Sequence, residues 1–356
     1  MTDFSIAVFE GDGIGGEIMS PTLRILDRLA HAAPTYGLTY NVLPAGAGHY
    51  AKTGEALPVA SVEAARAADA ILLSAMGLPS IRYPDGTEIA PQIDLRKILD
   101  LYAGVRPVRV APGIPSPLAG VEHLDFVLIR ESTEGLFHSK GHVTEDMAEE
   151  TLRITRKTSE KLFKFAFELA RQRKQAGQGP GLVTCVDKAN VFRAFAFFRE
   201  IFDAEAAKHP DLEANHAYVD ATALWMVTQP ERFDVMVTEN MFGDILSDLG
   251  AGLMGGLGLA PSADIGDDHA VFQPCHGTAP DIAGQGKANP VAMILSAAMM
   301  LEWLGHKHSH SALISDGARL RDAVETVLKD GSVLTGDMGG TATTVQVGAA
   351  IEAALG

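Results

Sequence analysis

Apolar runs short enough to be strands alternate with helix-period stretches through most of the chain, and that order admits few architectures. Residues 5–9 read as a buried strand, 17–33 as a helix, 38–43 as a strand, 59–68 as a helix and 70–75 as a strand. Strands separated by helices pair in parallel and are covered by those helices, so an α/β fold with an open sheet is expected. Residues 93–101 then read as a helix, 107–120 as a proline-rich loop and 124–129 as a buried strand. A long amphipathic helix is expected over 145–175, closed by the glycine-rich 177–181. Strands at 182–186, 216–219 and 233–238 follow, the first two separated by a helix reaching about residue 208. The last hundred residues return to helical patterns at 290–304, 311–328 and 341–355.

With 356 residues, the chain is long enough for two domains with a sizeable core. No linker or repeat divides it, so a second domain must be closely joined to the first. The longest apolar run, residues 291–301, is stopped by Glu302 and is too short to span a bilayer. No apolar signal segment precedes the first strand. Two cysteines, Cys185 and Cys275, cannot form a disulfide framework, which points to a reducing cytoplasm. A formal charge of −16 argues against a nucleic-acid partner, which requires clustered basic surface. It leaves room for a local arginine pocket that binds a small acid.

The residues with chemistry cluster at strand and helix ends. Asp244 and Asp248 stand four apart where a helix should follow the strand 233–238 through a turn at Gly243. Positions i and i+4 share a helix face, so both carboxylates can reach one cation; alternatively, they complement the helix dipole. Arg96, Arg106 and Arg130 each follow or interrupt an apolar segment, where a planar guanidinium suits a carboxylate partner. Arg96 is also placed to snorkel over a core. Lys188 follows the strand 182–186, where a lysine near carboxylates can transfer protons or simply face solvent. Asp220, after the strand 216–219, is equally suited to a helix N-cap.

Gly11, Gly13 and Gly16 match the G-x-G-x-x-G spacing, but residues 30–36 hold no acid for a ribose and the second strand ends in Leu43-Pro44-Ala45. These glycines therefore mark a tight strand-to-helix turn near a ligand, not an ordinary Rossmann site. The loop from His276 to Asn289 combines a histidine, small residues and Asp281. Small residues let backbone approach a ligand, and a carboxylate accepts from ribose hydroxyls. Alone, it is a loop leading to a helix with Pro290 at its start.

In order and spacing, these motifs resemble the β-decarboxylating hydroxyacid dehydrogenases: isopropylmalate, isocitrate, homoisocitrate, and tartrate or D-malate dehydrogenases. Phe242-Gly-Asp-Ile-Leu-Ser-Asp248 and His276-Gly-Thr-Ala-Pro-Asp281 carry the resemblance most strongly, and it covers nearly the whole chain. It implies an isopropylmalate dehydrogenase-like two-domain α/β fold, an open sheet flanked by helices. Residues 1–102 and 255–356 would form a large discontinuous domain carrying the NAD loop. Residues 103–254 would form a smaller domain with the metal aspartates and the interface of a homodimer or larger assembly.

The resemblance further implies an oxidoreductase using NAD and Mg²⁺ or Mn²⁺ on a small hydroxy diacid, with oxidative decarboxylation. Asp220, Asp244 and Asp248 would hold the metal, and Arg96, Arg106, Arg130, Gln92 and Ile93 the substrate. Ile14, Asn190, His276, Gly277, Thr278, Ala279, Asp281 and Asn289 would hold the cofactor. Lys188, Asp220 and His138 would carry catalysis, Lys188 and Asp220 reaching into the partner's site. Asp281 and Ile282 stand where NADP-using relatives carry a lysine and a tyrosine, and a carboxylate there repels a 2′-phosphate, so NAD is expected.

Three departures bear on the chemistry. Phe137 occupies the place of the tyrosine that protonates the enol. That proton then falls to His138, water or another group, or the product keeps its carboxylate, as tartrate oxidation allows. Gln273 replaces the usual glutamate before the cofactor loop, and residues 141–147 are short for a subunit-clasping arm. Ile89, Gln92 and Ile93 stand where isopropylmalate enzymes offer leucines and isocitrate enzymes a serine and an asparagine. A D-malate-like or tartrate-like acid is therefore expected first and a 3-alkylmalate second. The alternatives are a 3-isopropylmalate dehydrogenase of leucine biosynthesis and a catalytically impaired regulatory relative. Phe137 and Gln273 favour the latter; Lys188, Asp220, Asp244 and Asp248 oppose it.

Overall fold

The computed structural model describes residues 1–119, 121 and 124–356. The chain begins β1 (Thr2–Phe9), α1 (Gly15–Ala32), β2 (Tyr36–Val42), α2 (Ala47–Thr53), α3 (Val59–Ala67), β3 (Ala70–Leu73) and α4 (Pro91–Ile98). Its middle contains β4 (Ala103–Arg109), β5 (Asp125–Glu131), β6 (His142–Val143), β7 (Ala148–Glu149), α5 (Arg156–Gln175), β8 (Leu182–Asp187), α6 (Arg193–Ala206) and β9 (Glu213–Tyr218). The remainder is α7 (Val219–Thr228), β10 (Val235–Thr238), α8 (Asn240–Leu253), β11 (Pro261–Ile265), β12 (Ala270–Pro274), α9 (Val291–Lys307), α10 (Ser311–Asp330) and α11 (Thr344–Ala354).

Ten strands make one sheet in the order β2-β1-β3-β12-β11-β4-β5-β10-β8-β9. The expected open α/β sheet flanked by helices is therefore present. Each flank is parallel, whereas β12-β11, β11-β4 and β4-β5 pair antiparallel. The five strands from β2 to β11 come from residues 1–102 and 255–356, the other five from 103–254. Strands β3, β10, β11 and β12 are buried at every position, as strands covered on both faces must be. Helix α9 is buried almost all round, and Phe163, Phe167, Phe198 and Phe202 interlock between α5 and α6.

Four local expectations are corrected. The helix expected over 145–175 starts only at Arg156, where Thr155 accepts from the Thr158 N–H and caps it. The acidic residues 145–150 are all exposed, with no apolar face to pack, and residues 142–149 instead form the β6-β7 hairpin. Pro107 lies in β4 rather than in a loop. Strand β11 pairs with β4 only from Ala103 to Val105, so the missing N–H of Pro107 costs no sheet bond. Gly120, the end of that expected loop, is outside the described residues. Gly243 is inside α8, not in a turn before it. Finally, β11 and β12 fill residues 261–274, where no strand was expected.

Candidate active site

The antiparallel centre of the sheet puts polar residues on one buried face. Asp264 pairs in register with Gly104, Gly104 with Arg130, and Ser262 with Gln273. Because side chains alternate with period two, Arg106 and Ser132 share that face. All six side chains are buried. Gly104 makes this possible: a Cβ there would lie 2.5 Å from Ser132 Oγ and 3.0 Å from Asp264 Oδ1.

Asp264 organises the face. Its carboxylate accepts from Arg96 Nε at 2.9 Å, Arg106 Nη2 at 3.1 Å, Ser132 Oγ at 3.1 Å and Gln273 Nε2 at 2.6 Å. Burial opposes its ionisation, but Arg96, Arg106 and Arg130 more than offset this and hold it at about 2. Arg106 also donates to the carbonyls of Val105 and Ala263. Arg96, one turn after Gln92 on α4, has both terminal nitrogens without a protein partner among the described residues. Both are therefore free to donate to a carboxylate.

Helix α8 closes the face. Glu239 caps it by accepting from the N–H groups of Met241 and Phe242 at 3.1 and 2.7 Å. Asn240 Oδ1 accepts from Arg130 Nε and Nη2 at 2.9 and 2.7 Å, and Arg130 also donates to Asp244. Burial, and next Arg96, push the Arg130 guanidinium down to about 10. One turn on, Asp248 is raised above the usual aspartate range, first by burial and then by Asp244. Two mutually repelling carboxylates with oxygen-only donors suit a hard divalent cation. Among the described residues, no group of three His, Cys, Asp or Glu side chains is placed to hold a metal within one chain.

Arg96, Arg106, Arg130, Asp244, Asp248 and Gln273 line a cavity of about 230 Å³, with Ile93, Phe137 and Ser262 also in its wall; Asp264 lies behind the arginines and does not line it. Every expected substrate residue, Arg96, Arg106, Arg130, Gln92 and Ile93, faces it, as do Asp244 and Asp248. Gln92 Oε1, Ser74 Oγ and His276 Nε2 are buried without a hydrogen-bond partner among the described residues. The Phe137 ring centroid lies 5.0 Å from the Arg130 guanidinium carbon.

His276 and Gly277 also line a second cavity, of about 650 Å³, with Ile14, Ala279, Asn289, Lys287 and Asp337. The two cavities thus share a wall. The glycine turn abuts it: Gly13 has φ +59°, a Cβ there would lie 2.1 Å from Thr278 O, and Ile14 N–H donates to that carbonyl at 2.9 Å. Of the expected cofactor residues, Ile14, His276, Gly277, Ala279 and Asn289 line this cavity. Thr278 is spent on the Gly77 carbonyl at 2.7 Å, while Asp281 and Asn190 are exposed outside the lining. Asp337, paired with Asn289 at 2.9 Å, is a carboxylate in the wall that sequence reasoning missed.

Lys188 and Asp220 pair with each other and do not line the 230 Å³ cavity of their own chain. Asp187 fixes their loop by accepting from both Arg199 Nε and Nη2 at 2.7 Å. The Asp220 side chain is 68% exposed. His138 is exposed, 3.2 Å from Arg153 Nη2, and also lies outside the cavity.

The family model described as isocitrate/isopropylmalate dehydrogenase matches residues 5–353. The chain belongs to this family. It is 42% identical to the 3-isopropylmalate/3-methylmalate dehydrogenase of Methanocaldococcus jannaschii, over 96% of each chain. It is 36% identical to the probable tartrate dehydrogenase/decarboxylase of Bacillus subtilis, over 98% of this chain and 96% of that one. The crystal structure of isocitrate dehydrogenase from Methylococcus capsulatus superposes with a TM-score of 0.88 at 36% identity, covering 99% of both chains. The protein is therefore a dehydrogenase acting on hydroxyacids, in a family of NAD-dependent β-decarboxylating enzymes. Asp264, like Asp337, is a residue that sequence reasoning missed, since its strand β11 was not expected.

Proposed function

We propose that the protein oxidises a malate-type 2-hydroxy diacid, D-malate or tartrate first, with NAD and a divalent metal. The observation that carries this reading is the 230 Å³ cavity, in which the unspent Arg96 fork and the unpartnered Gln92 Oε1 face two aspartates. That volume is below the range of drug-sized pockets and suits a small acid, whereas 650 Å³ falls within it and suits a dinucleotide. Arg96 would grip one carboxylate, and Arg106 and Arg130 would supply charge to the other. Gln92, a buried acceptor, gains most from a substrate that brings a hydroxyl donor.

Asp244 and Asp248, with Asp220 from a second subunit, would hold Mg²⁺ or Mn²⁺, which when bound polarises the oxygen at C2. NAD, which accepts the hydride, would occupy the larger cavity beside His276, with Asp281 at its margin and Asn190, two residues from Lys188, supplied by the second subunit. Lys188, again from the second subunit, would take the C2 hydroxyl proton. Exposed Leu224, Val227 and Ile245 on α7 and α8, and Val143 and Met147 on the hairpin, support a homodimer. Residues 103–254 would form the smaller domain and the two chain ends the larger. The free Cys185 and Cys275 are in keeping with a cytoplasmic setting, and no helix among the described residues is long and apolar enough to cross a membrane.

A 3-alkylmalate is the second reading, favoured by the apolar Ile93 and Met76 in the same wall. Assaying D-malate, tartrate, 3-isopropylmalate and isocitrate side by side, following NADH and CO₂ with Mn²⁺ and again with EDTA, separates the two. The highest kcat/KM is expected for D-malate or tartrate, with EDTA abolishing NADH formation. Because Phe137 has no proton to give, the ratio of CO₂ to NADH reports whether the β-carboxylate leaves. Ligand binding without turnover on any substrate would identify a non-catalytic relative and refute the proposal.

A further inference from the structure

Asp264 is fully buried, contacts two of the three cavity arginines, and receives a hydrogen bond from Gln273. Arg106 and Arg130 have other partners in the protein, so the charge they offer a substrate depends on what those partners neutralise. Asp244 and Asp248 face the proposed metal position. A divalent metal there would balance them, and Lys188 and Asp220 of the second subunit cancel each other; three guanidinium charges and the Asp264 carboxylate remain, which leaves two positive charges for the substrate. We infer that Asp264 is a positioning and specificity-determining residue that matches this site to dianionic hydroxy acids and disfavours trianionic ones. It acts through Arg96 and Arg106, orienting their guanidinium planes and cancelling one unit of their charge.

The neutral side chain at 273 is part of the same device. Gln273 Nε2 donates to Asp264 Oδ2 at 2.6 Å, whereas a carboxylate there would face Asp264 with like charge. The Asp264-Gln273 pair therefore holds one negative charge behind the arginines, at the position nearest Arg96. Near an effective dielectric of 20, one unit charge a few ångströms away changes affinity for a further carboxylate by about tenfold or more.

This inference rests on the diacid reading above, and its test separates the two. At pH 8.5, kcat/KM is measured for D-malate and isocitrate with the wild type, Asp264→Asn, Gln273→Glu and the double variant. Asp264→Asn removes the charge and leaves one acceptor oxygen, enough for Arg96 or Arg106 but not both; the isocitrate-to-malate ratio should rise about tenfold or more. Gln273→Glu should lower that ratio, chiefly through KM. The double variant, which returns the charge to the neighbouring side chain, should restore it. A purely structural Asp264 would instead depress both substrates equally, and an unchanged ratio in Asp264→Asn would overturn the inference. Should that variant fail to fold, an unchanged ratio in Gln273→Glu would do the same. A wild type that oxidises no diacid removes the functional reading and this inference with it.

Discussion

Replacing Gly243 by alanine is expected to lower kcat/KM about 100-fold while the protein stays folded. A Cβ at this position would lie 2.6 Å from both Cβ and Cγ of Arg130 and 3.1 Å from its Cα. Comfortable carbon contacts are about 3.5–4.0 Å, so roughly 1 Å of displacement is required. The Arg130 backbone is locked between β4 and β10. Either α8 moves out or the arginine rotates, and both break its bonds to Asn240 and Asp244. Misplacing catalytic geometry by about 1 Å costs on the order of 100-fold. Overpacking destabilises by about 1–3 kcal/mol, offset by about 1 kcal/mol of helix propensity, so Tm should fall only a few degrees. Gly252→Ala on the same helix is the control, since a Cβ there meets nothing within 4 Å. Steady-state kinetics and thermal melts of both variants give the answer. A Gly243→Ala enzyme within threefold of wild-type kcat/KM would refute the reasoning.

Arg96→Met should raise the diacid KM about 30- to 160-fold, from the roughly 2–3 kcal/mol of a charge-assisted hydrogen bond, and an unchanged KM would show that the free fork does not bind substrate. Asp264, depressed to about 2, contributes stability above the usual aspartate pKa and loses it as pH falls from about 4 through 2. Urea midpoints measured from pH 6 to pH 2 should therefore decline less steeply in Asp264→Asn than in the wild type; parallel curves would count against the ion pairing. Asp281→Lys should weaken NAD binding in a fluorescence titration, and unaltered affinity would remove Asp281 from the cofactor site.

Much of the candidate cavity was legible because the residues that line it stand at element ends within strong local patterns. Arg130 ends an apolar strand, Arg96 sits one turn from Gln92, and Asp244 and Asp248 share a helix face. Asp264 was not legible. Its strand is five residues long, begins with proline and carries a carboxylate that normally disfavours strands. It is stabilised by Arg96 and Arg106, 168 and 158 residues away, which no local window contains. The acidic run after Gly141 erred the other way: Glu145 to Glu150 are adequate helix formers, yet only an apolar face gives a helix something to pack against. Gly243 looked like a turn residue because its role, close approach to Arg130, depends on a neighbouring strand rather than on its own backbone.

Anomalous diffraction from crystals grown with Mn²⁺ and D-malate tests the central claim most directly. One manganese peak is predicted within ligand distance of both Asp244 and Asp248, with a malate carboxylate on the Arg96 fork. A peak elsewhere, or malate bound away from the three arginines, would contradict it.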